Sequence, residues 1–337
     1  PGAPRDDPPP GHLLPSESKM AQAGIVGFLR TVAVVCAWYF WSSAVIFTNR
    51  HLLTSGLTAP ISLTLIHMTG SSIFANGAVS FGGFEKQYLQ SRKQTLKVAL
   101  LSATFGTSVV CGTATLRFIP VSFNELIAAT TPLFAAVFTY LTMKESQGYA
   151  KSLSLIVIAL GCMIASKGEA SWNLVGFLLS VTATATRAMR TVLGELLMAS
   201  ETEKLSSMNL LRYMSSMVVL MLIPVVLVVE GHGQLVNVVL GELARGNSSF
   251  VFWFFFNIVS AFSVNWCQLL VTKYVGSVAQ QVLGIFKGVS SSILSVFIFR
   301  NPVTVMAGFG YLTTVAGVAG YTTLRHYENQ ARGAKKV

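Results

Sequence analysis

Charge is what this sequence has least of. Asp, Glu, Lys and Arg make up only 11% of its 337 residues, against about 25% in a soluble domain. Acids are scarcer than bases, 13 against 24. Only four cysteines occur, Cys36, Cys111, Cys162 and Cys267, each alone in an apolar stretch and without ligand spacing. That pattern argues against a metal or disulfide centre and for small apolar packing residues. Also missing are a P-loop, a nucleophile elbow, a His/Cys/Asp cluster and a pair of acids placed for glycosyl chemistry. These absences remove the common enzyme classes, and no cofactor or metal is expected. No segment outside the apolar stretches is large enough to fold alone, since the longest connection, around 231–248, is roughly twenty Gly-rich residues.

What the chain does have is hydrophobicity over its full length, 52% of residues and a mean hydropathy of +0.60. Crossing a bilayer takes about 20 mostly apolar residues. Ten such stretches can be counted, near 28–49, 57–82, 95–116, 121–143, 149–166, 171–198, 206–229, 249–272, 277–299 and 302–324. The expectation is an all-α membrane protein with ten transmembrane helices over residues 28–324, a disordered Pro-rich tail over 1–27, and a basic tail over 325–337. The formal charge of +11 follows membrane topology and gives no reason to expect nucleic acid. Lys86, Arg92, Lys93, Lys97, Lys144, Lys151 and Lys204 fall on the side of both tails, with Arg50, Arg117, Lys167, Arg245 and Arg300 opposite. The positive-inside rule then places both termini in the cytosol. The N-terminal stretch holds Asp6, Asp7 and Glu17 and lacks the Arg/Ser bias of a transit peptide. The first span reads as a signal anchor that is retained. Asn247-Ser248-Ser249 is a glycosylation sequon, on the lumenal side in this topology.

The fourth and fifth spans match the ninth and tenth at a fixed offset. Lys144-Glu145 and Arg300-Asn301 end the paired spans, and Gly161 then aligns with Gly317. Five spans separate the copies, so they run oppositely through the bilayer, as two inverted five-helix halves about 28–167 and 171–324. Transporters built this way bind cargo at the midplane between halves. The offset makes Thr131 the counterpart of Lys287.

Lys287 is the most informative residue, a cation in Gly284-Ile285-Phe286-Lys287-Gly288 near mid-span. A charge there costs roughly 2.5–3.5 kcal/mol on insertion scales, so it needs a cavity, a fixed acid or an anionic cargo. Arg187 and Arg190 share one face of the sixth span. Arg187 lies near mid-span and reads as an oxyanion clamp, with a structural ion pair to Glu125 or Glu195 as the alternative. Arg190 lies nearer the cytosolic end, where snorkelling or an ion pair with Glu125 or Glu195 competes with cargo contact. Glu125 reads as a proton-coupling acid, a counter-ion or a group exposed at the mouth. Asn124, Thr130 and Thr131 in the fourth span, Tyr213 in the seventh, Asn265 in the eighth, and Tyr274 and Gln281 entering the ninth complete the candidate cavity. Ser and Thr hydroxyls also bond back to their own helices. Pro132 is expected to kink the fourth span. His67 reads as a hydrogen-bonded core residue. Trp38, Tyr39, Trp41 and the aromatics of 250–256 read as lipid-facing or interfacial anchors.

Several motifs together resemble the triose-phosphate/nucleotide-sugar transporter family of the drug/metabolite transporter superfamily. They are Leu116-Arg117-Phe118-Ile119-Pro120-Val121-Ser122-Phe123-Asn124 with Ala129-Thr130-Thr131-Pro132, then Glu203-Lys204-Leu205-Ser206-Ser207-Met208-Asn209-Leu210-Leu211, Leu270-Val271-Thr272-Lys273, Gln281-Val282-Leu283-Gly284 through Lys287-Gly288, and Phe299-Arg300-Asn301-Pro302-Val303. The likeness covers nearly all of 30–325 and is nearest the plant and algal branch often labelled sugar-phosphate/phosphate translocator. It implies ten helices in the drug/metabolite transporter fold, and counter-exchange of two anions by alternating access around a basic centre. Plastid members of the family hold phosphate with a lysine where this chain has Ala128, a tyrosine where it has Val264, and a Lys-Arg pair where it has Lys287-Gly288. Lys287 matches, and Arg187 matches the family's arginine on the sixth helix. The Lys-Gly form is similar to nucleotide-sugar members. The expectation is therefore a Golgi-membrane antiporter of a nucleotide sugar, a UDP-sugar first, for a nucleoside monophosphate. The alternative is a plastid inner-envelope sugar-phosphate or phosphoenolpyruvate translocator. Partners are an anionic small molecule and the lipid bilayer, with the protein a monomer or homodimer.

Overall fold

A computed structural model of the chain describes residues 17–54, 59–115, 117–119, 124, 127–128, 130–144, 148–165, 173–199, 204–231, 233–286 and 305–334. Among the described residues the secondary structure is entirely helical. In chain order the helices are α1 (Glu17–Thr54), α2 (Pro60–Phe81), α3 (Arg92–Thr115), α4 (Thr131–Met143), α5 (Tyr149–Ala165), α6 (Leu174–Ala199), α7 (Ser207–Val229), α8 (Gln234–Ala244) and α9 (Ser248–Val275). After a break at Gly276 follow α10 (Ser277–Phe286) and α11 (Val305–Ala334). Lys287, Glu125 and residues 1–16 lie outside the described residues.

Four stretches, Ile25–Asn49, Arg92–Thr115, Ser207–Val229 and Ser248–Val275, are by themselves long and apolar enough to cross a bilayer. With several such spans and so little charge, the chain is a multi-pass membrane protein. α6 is of similar length but carries Arg187, Arg190 and Glu195; Leu174, Val175 and Leu178 near its start are exposed. Short α8 exposes Val236, Leu240 and Leu243, one apolar stripe at helical spacing.

Two boundaries differ from expectation. α1 begins at Glu17, inside the stretch read as a tail, because helix formers replace prolines from that point on. α11 continues to Ala334 through residues read as the basic tail, since no proline or helix-stopping signal intervenes.

Helices pair α5 with α11, α3 with α6, α1 with α9, and α2 with α7, while α4 leans on α6 and α2 also meets α9. The α5–α11 seam depends on glycine. A Cβ at Gly161 would stand 2.5 Å from Thr314 N, and one at Gly317 would stand 2.8 Å from Ile158 Cγ1. Small residues of this kind bring backbones together where burial gives little drive for association. The two glycines aligned from sequence thus meet each other's helix at matching positions, Gly161 at Thr314 and Gly317 at Ile158.

Carboxylates cap two helix starts from a distance. Glu230 accepts from Ile61 N and Ser62 N, both at 2.7 Å, and from Ser62 Oγ at 2.6 Å. This satisfies donors that Ala59, at the N-cap position of α2, cannot. Glu195 accepts from Ser277 N at 2.7 Å at the start of α10. It passes so close to Gly276 (φ +79°) that a Cβ there would lie 2.7 Å from Glu195 Oε1. Both geometry and space require glycine at that corner.

Several aromatics expected at the lipid boundary lie inside. Trp38 is 4% exposed, and the Tyr39 hydroxyl donates to Leu283 O at 2.7 Å, tying α1 to α10. Phe250 is also buried, whereas Phe252 and Phe255 do face outward. His67 is a hydrogen-bonded core residue. Its Nε2 lies 2.5 Å from Asn257 Oδ1, and Asn257 Nδ2 donates to Thr48 Oγ1 and Asn49 Oδ1, so one network joins α1, α2 and α9. At the sequon, Asn247 Oδ1 caps α9 through Phe250 N and its Nδ2 donates to Glu242 at 2.7 Å.

Candidate functional site

α6 carries two candidate cations, Arg187 and Arg190, both half-buried, on a helix that packs against α3, α4 and α9. The Arg190 guanidinium lies flat over Phe105 of α3, with Cζ 4.3 Å from the ring centroid. Its Nη2 donates to Asn265 Oδ1 of α9 at 3.2 Å. Asn265 is 7% exposed and is oriented by its own Nδ2, which donates to Ala261 O at 2.8 Å. Both partners of Arg190 are neutral, a ring face and an amide, and among the described residues it has no carboxylate partner. An arginine so placed keeps its full charge available to an oxyanion. Snorkelling to the interface, one reading of Arg190 from the sequence, is not what it does, because the planar head finds a ring and an amide inside the bundle. An ion pair of Arg190 with Glu195 is not formed either, since that carboxylate turns to the start of α10.

The other candidates distribute around α6. Arg187 is half-buried one turn before Arg190. Gln281 of α10 donates through Nε2 to Thr191 Oγ1 at 2.7 Å, next in sequence to Arg190. Asn124 accepts through Oδ1 from Ser180 Oγ at 2.7 Å, near the opposite end of α6. Two candidates sit at helix ends. The Tyr213 hydroxyl donates to Gln87 O at 2.9 Å in the α2–α3 connection, and Tyr274 lies beneath Arg30, with Cζ 5.4 Å from its ring centroid.

Thr130 and Thr131 direct their hydroxyl protons at their own backbone. Thr130 Oγ1 donates to Ile127 O at 2.6 Å, and Thr131 Oγ1 donates to Ala128 O. The second bond has a local cause. Pro132, in the first turn of α4, has no N–H, so the carbonyl four residues earlier, Ala128 O, loses its helical donor. The Thr131 hydroxyl replaces it. The proline therefore opens α4 and does not kink the interior of a longer described helix.

Arg190, not among the candidate cavity residues read from the sequence, is the arginine of α6 whose contacts the structure shows. Its spacing from Arg187 showed a shared face, but the aromatic platform and the amide come from helices distant in sequence.

The profile of the Triose-phosphate Transporter family matches residues 29–322. A probable sugar phosphate/phosphate translocator of Arabidopsis thaliana is 41% identical over 294 residues, 87% of this chain and 94% of that protein. The UDP-uronic acid transporter 1 of the same plant is 40% identical over 290 residues, 86% and 93% of the two chains. A solved crystal structure superposes with a TM-score of 0.62 over 89% of this chain and 98% of that one, at 15% identity, which shows a shared fold. The chain belongs to the triose-phosphate transporter family.

Proposed function

We propose that this protein is an antiporter that carries a nucleotide sugar, a UDP-sugar first, across the Golgi membrane in exchange for a nucleoside monophosphate. Ten spans form two inverted five-helix halves, with both termini cytosolic, and access to the centre alternates between the two sides. The reciprocal contacts Gly161–Thr314 and Gly317–Ile158 support the inverted halves, because Gly161 with Gly317 and Ile158 with Thr314 keep one sequence offset. Relatives named for UDP-uronic acid, UDP-galactose and GDP-mannose transport support the cargo class.

The observation that carries the reading is Arg190, a half-buried guanidinium whose partners among the described residues are Phe105 and Asn265. Arg190 and Arg187, with Lys287 joining from the stretch after α10, hold the phosphates. Asn124, Thr130, Thr131, Asn265 and Gln281 read base or sugar, and Tyr213 and Tyr274 line the route at the helix ends. Obligatory exchange follows from the same charge. Closing the bundle over bare guanidinium groups would remove them from water without an anion, so the empty carrier returns slowly and the loaded one quickly.

Purified protein in liposomes preloaded with UMP tests this. Radiolabelled UDP-sugar uptake is expected to require internal nucleotide. Equal uptake into empty liposomes overturns obligatory exchange. Uptake driven by internal phosphate, with triose or hexose phosphate as cargo, favours the plastid-type translocator reading, which the names of the sugar phosphate/phosphate relatives motivate. Against that reading stand the departures at Ala128, Val264 and Gly288.

A further inference from the structure

Arg212 repeats the chemistry of Arg190 at a second place in the bundle. It stands near the start of α7, and its Nε donates to Asn76 Oδ1 of α2 at 2.8 Å. The guanidinium lies over the neighbouring Tyr213 ring, with Cζ 4.9 Å from the centroid. Asn76 is fixed in turn by its Nδ2, which donates to Ser72 O at 2.8 Å. Here too the partners are one amide and one ring, and among the described residues Arg212 has no carboxylate partner. Nη1 is closed off from solvent and makes no hydrogen bond.

Holding α2 to α7 does not account for this charge. Those helices are already joined by Ser72 Oγ and Ser216 Oγ, 2.7 Å apart, and a neutral donor would serve Asn76 equally well. A buried donor without an acceptor is costly, and a charged one more so. The Asn76 bond occupies the Nε edge of the guanidinium plane. The end edge holds Nη1, unpaired and closed to solvent here; a planar two-point acceptor, which is how arginine takes carboxylate or phosphate, would reach it when the helices part during the transport cycle. Phe105, the platform of Arg190, belongs to the same apolar cluster that Tyr213, the platform of Arg212, packs against. Two guanidinium groups with no carboxylate partner among the described residues, both bordering one cluster, suit a cargo with oxyanions in two places.

We propose that Arg212, positioned by Asn76, forms a second oxyanion subsite of the transport pathway, separate from Arg190. The subsite rests on the functional reading above and deepens it. Its oxyanion comes from one of two sources, a carboxylate on the sugar ring or the cargo phosphate.

The test compares Arg212→Gln and Arg212→Lys with wild type in UMP-loaded liposomes, varying external UDP-glucuronate, UDP-glucose and UMP. In R212Q the half-saturating concentration is expected to rise at least tenfold while the maximal rate changes far less, and R212K is expected to restore most of the affinity. A rise confined to UDP-glucuronate assigns the sugar carboxylate, and a rise shared by all three assigns the phosphate. Asn76→Ala should repeat the pattern more weakly. Unchanged half-saturation for every cargo overturns the subsite, as does a fall in maximal rate alone, the mark of a structural tie. If the wild type exchanges no nucleotide sugar, the functional reading falls while Arg212 is still judged. Phosphate or glucose 6-phosphate must then raise the melting temperature of the wild type more than that of R212Q, and equal shifts overturn the proposal.

Discussion

At the scale of single residues, the proposed site centres on a cation whose hydrogen-bond and ring partners among the described residues are neutral. Arg190 should be intolerant of neutral replacement. A hydrogen bond to a charged group contributes about 1.5–3 kcal/mol, or roughly ten- to hundredfold in binding. R190Q is therefore expected to lower exchange by at least tenfold, with R190K intermediate because it keeps the charge but not the planar fork over Phe105. Initial uptake rates at matched protein density check this, with an unchanged gel-filtration profile as the folding control. Thr131 has a structural duty separable from transport. Replacing it with Val removes the donor to Ala128 O and should cost about 1–3 kcal/mol for a buried acceptor left unsatisfied. Thr131→Ser should retain it. Thermal melting in detergent distinguishes the two, and equal melting of both variants would show that the hydroxyl does not serve Pro132.

At the scale of elements, two contacts depend on having no side chain. Gly161→Ala would place a methyl 2.5 Å from Thr314 N, a backbone atom that cannot rotate away. The α5–α11 pair should then separate, with a loss of about 1–3 kcal/mol for overpacking, and Gly317→Ala should act in the same direction. Gly276→Ala combines a left-handed φ with a collision against Glu195. Strain of this kind costs of order 1–3 kcal/mol, and it would loosen the start of α10, the helix leading to Lys287. Lower melting temperatures for all three variants, with Gly276→Ala also losing exchange, are expected. Gly77, whose added Cβ would meet nothing within 4 Å, supplies the neutral control when changed to Ala.

At the scale of the whole molecule, binding and stability are linked. A cargo that binds the folded carrier at a hundred times its dissociation constant adds about 2.7 kcal/mol of stability. UMP or the preferred nucleotide sugar should raise the melting temperature of the purified protein, and R190Q should abolish most of the shift. A shift that is the same in R190Q would move the phosphate site away from α6.

Much was legible in the sequence because the membrane constrains it so strongly. Scarce charge and long apolar runs dictate helices, since backbone groups in lipid must bond within their own segment. The motif set pointed to the family, and the offset that aligned Gly161 with Gly317 named two residues that do sit at one seam. The surroundings of the candidate residues were not legible in this way. Helical period says that Arg187 and Arg190 share a face, but not what lies opposite. Phe105 and Asn265 reach Arg190 from α3 and α9, and Asn76 reaches Arg212 from α2. Likewise, nothing local announced that Trp38 and Tyr39 would turn inward to α10, or that Tyr213 would reach Gln87. The amino-acid order alone settled the class of the protein and the helical form of its apolar segments, because solvation by lipid acts on each segment separately. Only tertiary packing decided which amide and ring each guanidinium meets, because its partners depend on which helices become its neighbours.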